Sequence, residues 1–339
     1  MKNVKNKALF GKLIGIVAAL TLAAGALTGC SAGNVSAENS GELNTARTIR
    51  FADQANYIPA KIALEKGFFA EEFGDDYNFE VHVFENGPAI NEAITAGEID
   101  FAAYGDTPAI QGFANGIDVQ IISTLWLSDN AYALIAGPDS GVESTKDLKG
   151  KRLGYRAGTT THQLILKILE KEGLKESDVT LVNIGSAEGI AAIVAGDLDT
   201  VIAAQPFEPT LEQTGGKLIV TNKDYNVQPV FILAKGDFAK KNPEIVSRVL
   251  KVLDKATKWG LENPDEAVKI VSDFNGSDIE GVRTYFETRD WVIGWQENLE
   301  GGLEDSIQFA YDNGNITSKF DVKDLVNTSF LENAGLYNK

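Results

Sequence analysis

Apolar and polar positions along this chain follow two rhythms. Phe79-Glu80-Val81-His82-Val83-Phe84 alternates residue by residue, the period of a strand with one covered face. Thr48–Ala52, Asp100–Tyr104, Val119–Ser123, Leu153–Arg156, Val179–Ile184, Thr200–Ala204 and Lys217–Thr221 are short apolar runs of strand length. Between them lie helical spacings with start and stop residues. Ile58–Phe69 has Pro59 near its start and Gly67 near its end, and Pro88 opens a helix that Gly97 closes. Pro108–Ala114, Thr160–Glu172 and Ala187–Ala195 continue the pattern. From Asn242 onward the chain turns helical, through Pro243–Glu262 and Pro264–Phe274 to further helices past Gly302. Strand–helix alternation predicts an α/β fold with mixed, mostly parallel sheets and ligand loops at the strand C-terminal ends.

One segment occurs twice. Ala93-Ile94-Thr95-Ala96-Gly97-Glu98-Ile99-Asp100 recurs as Ala192-Ile193-Val194-Ala195-Gly196-Asp197-Leu198-Asp199. Each copy reads as a helix end, a Gly stop and entry into a buried strand. Each runs on to a turn, Gly105–Pro108 or Gln205–Pro209. Two such units predict two lobes facing one cleft. The breaker cluster Gly137-Pro138-Asp139-Ser140-Gly141 reads as a crossing between them. Val230–Lys235 matches Ala133–Ala136 in composition and reads as the return. The expected division is lobe I from 47–136 plus 227–339 and lobe II from 137–226, with a two-crossing hinge that closes on a ligand.

The N-terminus sets an expectation about compartment. Lys2, Lys5, Lys7 and Lys12 precede a short apolar run, Leu13–Leu27, and then Leu27-Thr28-Gly29-Cys30. A basic start, a short apolar run and small residues make an export signal over 1–29 rather than a spanning helix. Cys30 is the only cysteine, which excludes an intrachain disulfide and a multi-Cys metal site. It is either an incidental thiol or a lipidation site. Residues 30–46, rich in Ser, Gly, Asn and Glu, read as a flexible stalk.

Composition removes other classes. The chain has 48 acidic against 31 basic residues and a formal net charge of −17, and its signal segment holds four of the lysines. Nucleic acid as a partner is excluded by that balance. A monomer is expected. No catalytic constellation is present: His82 and His162 lack metal-ligand spacing, and there is no P-loop, Gly-x-Gly-x-x-Gly or Gly-x-Ser-x-Gly. No enzyme activity, cofactor or metal is therefore expected.

Binding candidates stand where strands give way to helices. Arg156-Ala157-Gly158-Thr159-Thr160-Thr161 opens a helix whose free N–H groups favour an anion, with Gly158 allowing close approach and Thr159 and Thr160 adding donors. The alternative is that one threonine is merely a cap. Arg156 suits an anionic headgroup, or else an inter-lobe salt bridge. Asp106 and Thr107 face them from the other lobe, Asp106 as a cap or ligand acceptor. Gln54, Asn56 and Tyr57 follow the first strand on the same rim. Trp126 lines the cleft or packs in the core, and Gln205 and Phe207 occupy the turn after the second repeat copy.

Several of these stretches resemble a known family. Tyr57-Ile58-Pro59-Ala60-Lys61-Ile62-Ala63-Leu64-Glu65-Lys66-Gly67-Phe68-Phe69, Gly87-Pro88 to Asp100, Gly105–Pro108, Asp147-Leu148-Lys149-Gly150-Lys151 and Gly158–His162 are similar, in order, to ABC-transporter solute-binding proteins of the nitrate/sulfonate/taurine group. The resemblance implies a two-lobed periplasmic-binding fold of the second type. It implies capture of a small anion, an alkanesulfonate or taurine with nitrate or bicarbonate as variants, for an ABC permease and ATPase. A thiamine-pyrimidine precursor, stacked by Trp126, Tyr57 and Phe207, is the alternative ligand, and an enzyme of the same fold the rival class. Leu-Thr-Gly-Cys resembles the bacterial lipobox, which implies lipid on Cys30 and an anchored, extracytoplasmic protein.

Overall fold

The computed structural model describes residues 46–337 apart from 206, 226–229 and 297. The signal segment, Cys30, the stalk up to residue 45 and Pro206 lie outside the described residues. Two mixed sheets organise the rest. Strands β1 (Arg47–Gln54), β2 (Tyr77–Phe84), β3 (Phe101–Gly105) and β4 (Val119–Leu127) are followed by β5 (Tyr132–Ala136), β6 (Arg152–Tyr155), β7 (Thr180–Asn183), β8 (Thr200–Ala204) and β9 (Lys217–Thr221), then by β10 (Val230–Lys235) and β11 (Asp290–Trp291). The first sheet runs β11-β4-β10-β3-β1-β2 and the second β7-β6-β8-β5-β9.

The sheets share one plan. In each, a central strand pairs in parallel with two neighbours, β1 with β2 and β3, and β6 with β7 and β8. An antiparallel strand then closes on the third, β10 on β3 and β5 on β8. Strand β5 arrives from the first sheet and β10 from the second, so each crossing strand completes the sheet it enters. The outward crossing therefore lies between Leu127 and Tyr132, ahead of the Gly137–Gly141 cluster where the breakers alone placed it. Tyr132–Ala136 belongs to the second sheet because its five residues pair in register with Ala204–Thr200.

The repeat copies feed different sheets, one entering β3 and the other β8. Gly97 and Gly196 take φ of 78° and 76°, a left-handed turn that glycine adopts without strain. Helices cover both faces of each sheet. One core gathers Phe51, Phe101, Phe231 and Leu253, and two smaller clusters hold the second sheet from either side, around Leu164 and around Val201. Trp291 and Trp295 lie outside the helices. The first sits in β11 and the second in irregular chain beyond it, both buried in the first core.

Candidate functional site

A cleft of about 690 Å³ opens between the two sheets. The first-sheet wall is the loop Gln54–Tyr57 after β1, the segment Val83–Gly87 after β2, and Gly105 with Pro108 after β3. The second-sheet wall is Arg156 and Thr159–Thr161 after β6, Gly185–Glu188 after β7, and Ala204 at the end of β8. Every one of these segments leaves the C-terminal end of a strand, where the strand order predicts ligand loops. Tyr132, Tyr285 and Arg289 complete the lining.

The three threonines divide their work. Thr159 caps the helix Thr160–Lys171, its Oγ1 accepting from Thr161 N at 3.3 Å and donating to Arg156 O at 2.8 Å. Thr161 Oγ1 accepts from Arg156 N at 3.1 Å. Thr160 is left to face the opposite lobe, where a Cβ on Gly105 would run into its Oγ1. Gly158 has φ of 70° and packs toward Pro88 and Gln111 of the first lobe instead of lining the cleft. Arg156 lines the cleft and pairs with Glu85 across it, forming the inter-lobe salt bridge.

Four candidates lie behind the wall. Asp106 is fully buried: its Oδ1 accepts from Thr107 N at 2.6 Å and its Oδ2 from Ser306 Oγ at 2.9 Å. Burial pushes its carboxyl up, against the hydrogen bond from Ser306 and the charge of Lys167. Thr107 Oγ1 lies 3.3 Å from Gln163 Oε1, and Gln163 Nε2 donates to Ser306 Oγ at 3.0 Å. This polar chain joins the lobes through the helix Asn298–Asp312. Gln205 Oε1 accepts from Phe207 N at 2.9 Å, and Phe207 is buried in the second lobe's core. Phe207 shares that cluster with Ala133 and Ile135 and is not among the residues that line the cleft.

Trp126 is 1% exposed and forms the floor beneath a group that sequence reasoning missed. Arg289 is 6% exposed, with its guanidinium carbon 3.2 Å from the centre of the Tyr285 ring and 5.0 Å from that of Trp126. Its Nη1 donates to Tyr285 O at 2.9 Å and to Thr288 Oγ1 at 2.8 Å, while Nε has no partner. No carboxylate among the described residues pairs with it. Burial holds the neighbouring phenols Tyr57, Tyr132 and Tyr285 well above or above their ordinary values, so each stays a neutral O–H donor. An uncompensated buried cation ringed by hydroxyls is a receptacle for an anion. The sole local trace of this in the sequence is the spacing of Tyr285 and Arg289, one helical turn apart.

The NMT1/THI5-like family pattern matches residues 54–267, from the first cleft loop to past the return strand. The chain belongs to that family. A Bacillus subtilis (strain 168) member named as an aliphatic sulfonates-binding protein is 30% identical over 329 residues, covering 95% of this chain and 96% of the relative. An Escherichia coli (strain K12) protein of the same name is 24% identical over 243 residues, 71% of this chain and 76% of its own length. The crystal structure of the periplasmic aliphatic sulphonate binding protein SsuA from Escherichia coli superposes with a TM-score of 0.74 at 22% identity, over 83% of this chain and 92% of that one. This NMT1/THI5-like chain thus has the two-lobed fold of those binding proteins. No helix among its described residues is long and apolar enough to cross a membrane.

Proposed function

We propose that this protein is an extracytoplasmic solute-binding protein that captures a small organic sulfonate in the inter-lobe cleft and delivers it to an ABC permease and ATPase. The observation that carries this reading is Arg289, a buried guanidinium in the cleft wall without an acidic partner. A sulfonate offers three oxygens around one negative charge. The fork of Arg289, the hydroxyls of Tyr57, Tyr132 and Tyr285, and Thr160 supply donors from several directions, which suits a tetrahedral headgroup. Gln54 and Asn56 stand at the rim for the remainder of the solute. The names of the relatives support the same solute class. Cys30, at the end of an export-like segment, is the residue proposed to carry the lipid that keeps the protein at the membrane surface.

Isothermal titration of the purified protein with ethanesulfonate, butanesulfonate, taurine, nitrate and bicarbonate tests the assignment. Saturable one-to-one binding of a sulfonate is the expected result. Heat from none of the five would overturn the anion reading.

A further inference from the structure

Beneath the cleft lies an ion pair that touches no part of the ligand space. Lys61 is 0% exposed and Asp53 1% exposed, and Lys61 Nζ donates to Asp53 Oδ2 at 2.9 Å. The other two ammonium hydrogens go to Gln54 O and Tyr57 O, each at 2.9 Å. These carbonyls are the two ends of the loop Gln54–Tyr57, which the bond from Tyr57 N to Gln54 O closes at 3.0 Å. Asp53 in turn accepts from Gln54 N at 2.9 Å through its second oxygen. One buried charge pair thus grips a four-residue turn at both ends.

An ion pair is an expensive way to hold a core together, because desolvation of both charges offsets their attraction and apolar residues serve as well. What apolar residues cannot do is bind two carbonyl oxygens at once. We infer that Lys61, held by Asp53, is a positioning residue for solute recognition: it fixes the Gln54–Tyr57 turn so that Gln54, Asn56 and the Tyr57 hydroxyl meet the ligand already placed. The inference rests on the proposed binding role of the cleft. Its own structural content, a pinned turn, is independent of which solute binds.

The test pairs two readouts on the full-length protein and on the double variant Asp53→Asn/Lys61→Met, which removes both charges together. Amide hydrogen exchange at residues 54–57 is measured without ligand, and ethanesulfonate affinity by titration. The expected result is exchange at least tenfold faster in the turn with protection elsewhere retained, and a Kd weaker by about tenfold through lost preorganisation. A folded variant with wild-type exchange in the turn and wild-type Kd would overturn the inference. Absence of ethanesulfonate binding to the unaltered protein removes the ligand reading while the exchange readout still decides the turn. Should the variant not fold, the unaltered, ligand-free protein decides: the Tyr57 amide exchanges as slowly as the interior of the helix Pro59–Glu65, whereas free exchange there rules the pinned turn out.

Discussion

Asp199 holds Arg152 at three points. Its Oδ2 accepts from the Arg152 backbone N at 2.7 Å and from Nε at 3.2 Å, and its Oδ1 from Nη2 at 3.0 Å. Asp100 stands at the matching position of the other repeat copy and accepts from the backbone N of Arg50 at 3.1 Å. There the likeness stops, because the Arg50 side chain turns to Glu80. Arg152 holds the Asp199 carboxyl below the usual range, while burial pushes Asp100 up. The depressed group contributes stability that is present above the unfolded value of 3.8 and is lost as pH falls through its folded value. The raised group works the other way, costing stability as pH rises through its folded value. Asp199→Asn is expected to cost about 1 kcal/mol at neutral pH and to reduce the acid sensitivity of the fold. Asp100→Asn is expected to cost less at neutral pH. Urea denaturation of both variants at pH 7 and pH 4 checks the contrast.

Arg289 separates binding from stability. Replacing it with Met removes the charge proposed to receive the anion, and truncating a buried charged partner typically costs about 2–5 kcal/mol of binding. Sulfonate affinity is expected to fall by at least about thirtyfold, since each 1.4 kcal/mol is tenfold. The ligand-free variant is expected to melt at or above the wild-type temperature, because an uncompensated buried charge has been removed. Arg289→Lys is expected not to restore binding, as an ammonium lacks the planar fork. Titration calorimetry and thermal melts of both variants, with and without solute, give the answer.

Gly105 and Thr160 measure how closely the lobes approach. Gly105 has φ of −72°, so alanine strains no backbone there, and its Cβ meets Thr160 Oγ1 in the facing lobe. Gly105→Ala is expected to weaken solute binding by wedging the cleft, and Thr160→Gly in the same chain to relieve the wedge. Double-mutant cycles on contacting residues give coupling of about 0.5–3 kcal/mol. Additive effects of the two changes on Kd would show that the lobes do not meet at this point.

The polar chain behind the wall gives a fourth test. Ser306→Ala leaves Asp106 Oδ2 without its donor in a fully buried site. The expected cost is about 1–3 kcal/mol of folding stability. Protonation of Asp106, already favoured by burial, relieves the stranded charge, so the deficit should shrink as pH falls. Denaturation midpoints of wild type and variant from pH 7 to pH 4 follow it.

Local patterns revealed the strands, the Gly stops and the loops that reach the cleft, because each depends on a few neighbouring residues. The alternation of Phe79–Phe84 appears as an edge strand with half-covered positions, and the doubled segment enters two sheets. What failed were questions of pairing and direction. Tyr132–Ala136 has the composition of either sheet, and only its partners on β8 and β9 decide. Trp126 and Phe207 are aromatics beside ligand loops, yet their rings turn inward, since apolar area is better buried than displayed. Apart from its spacing from Tyr285, Arg289 carries no local sign of its proposed role, which is created by Tyr57, Trp126 and Tyr132, residues distant in the chain. Of the two readings of the threonine cluster, the cap applies to Thr159, whose Oγ1 accepts from Thr161 N, and all three threonines line the cleft.

The position of Arg289 has a consequence for the life of the polypeptide before it works. During synthesis the turn Gln54–Tyr57 and the threonines of the second lobe emerge long before residues 285–289. A chain made only that far therefore has the residues of both cleft walls without the cation proposed to receive the solute. On the proposed reading, solute gains no stabilising hold by mass action on a chain that has not yet reached Arg289. On the proposed reading, affinity waits for the segment just beyond the helix that ends at Glu287, which is made after the residues of both walls.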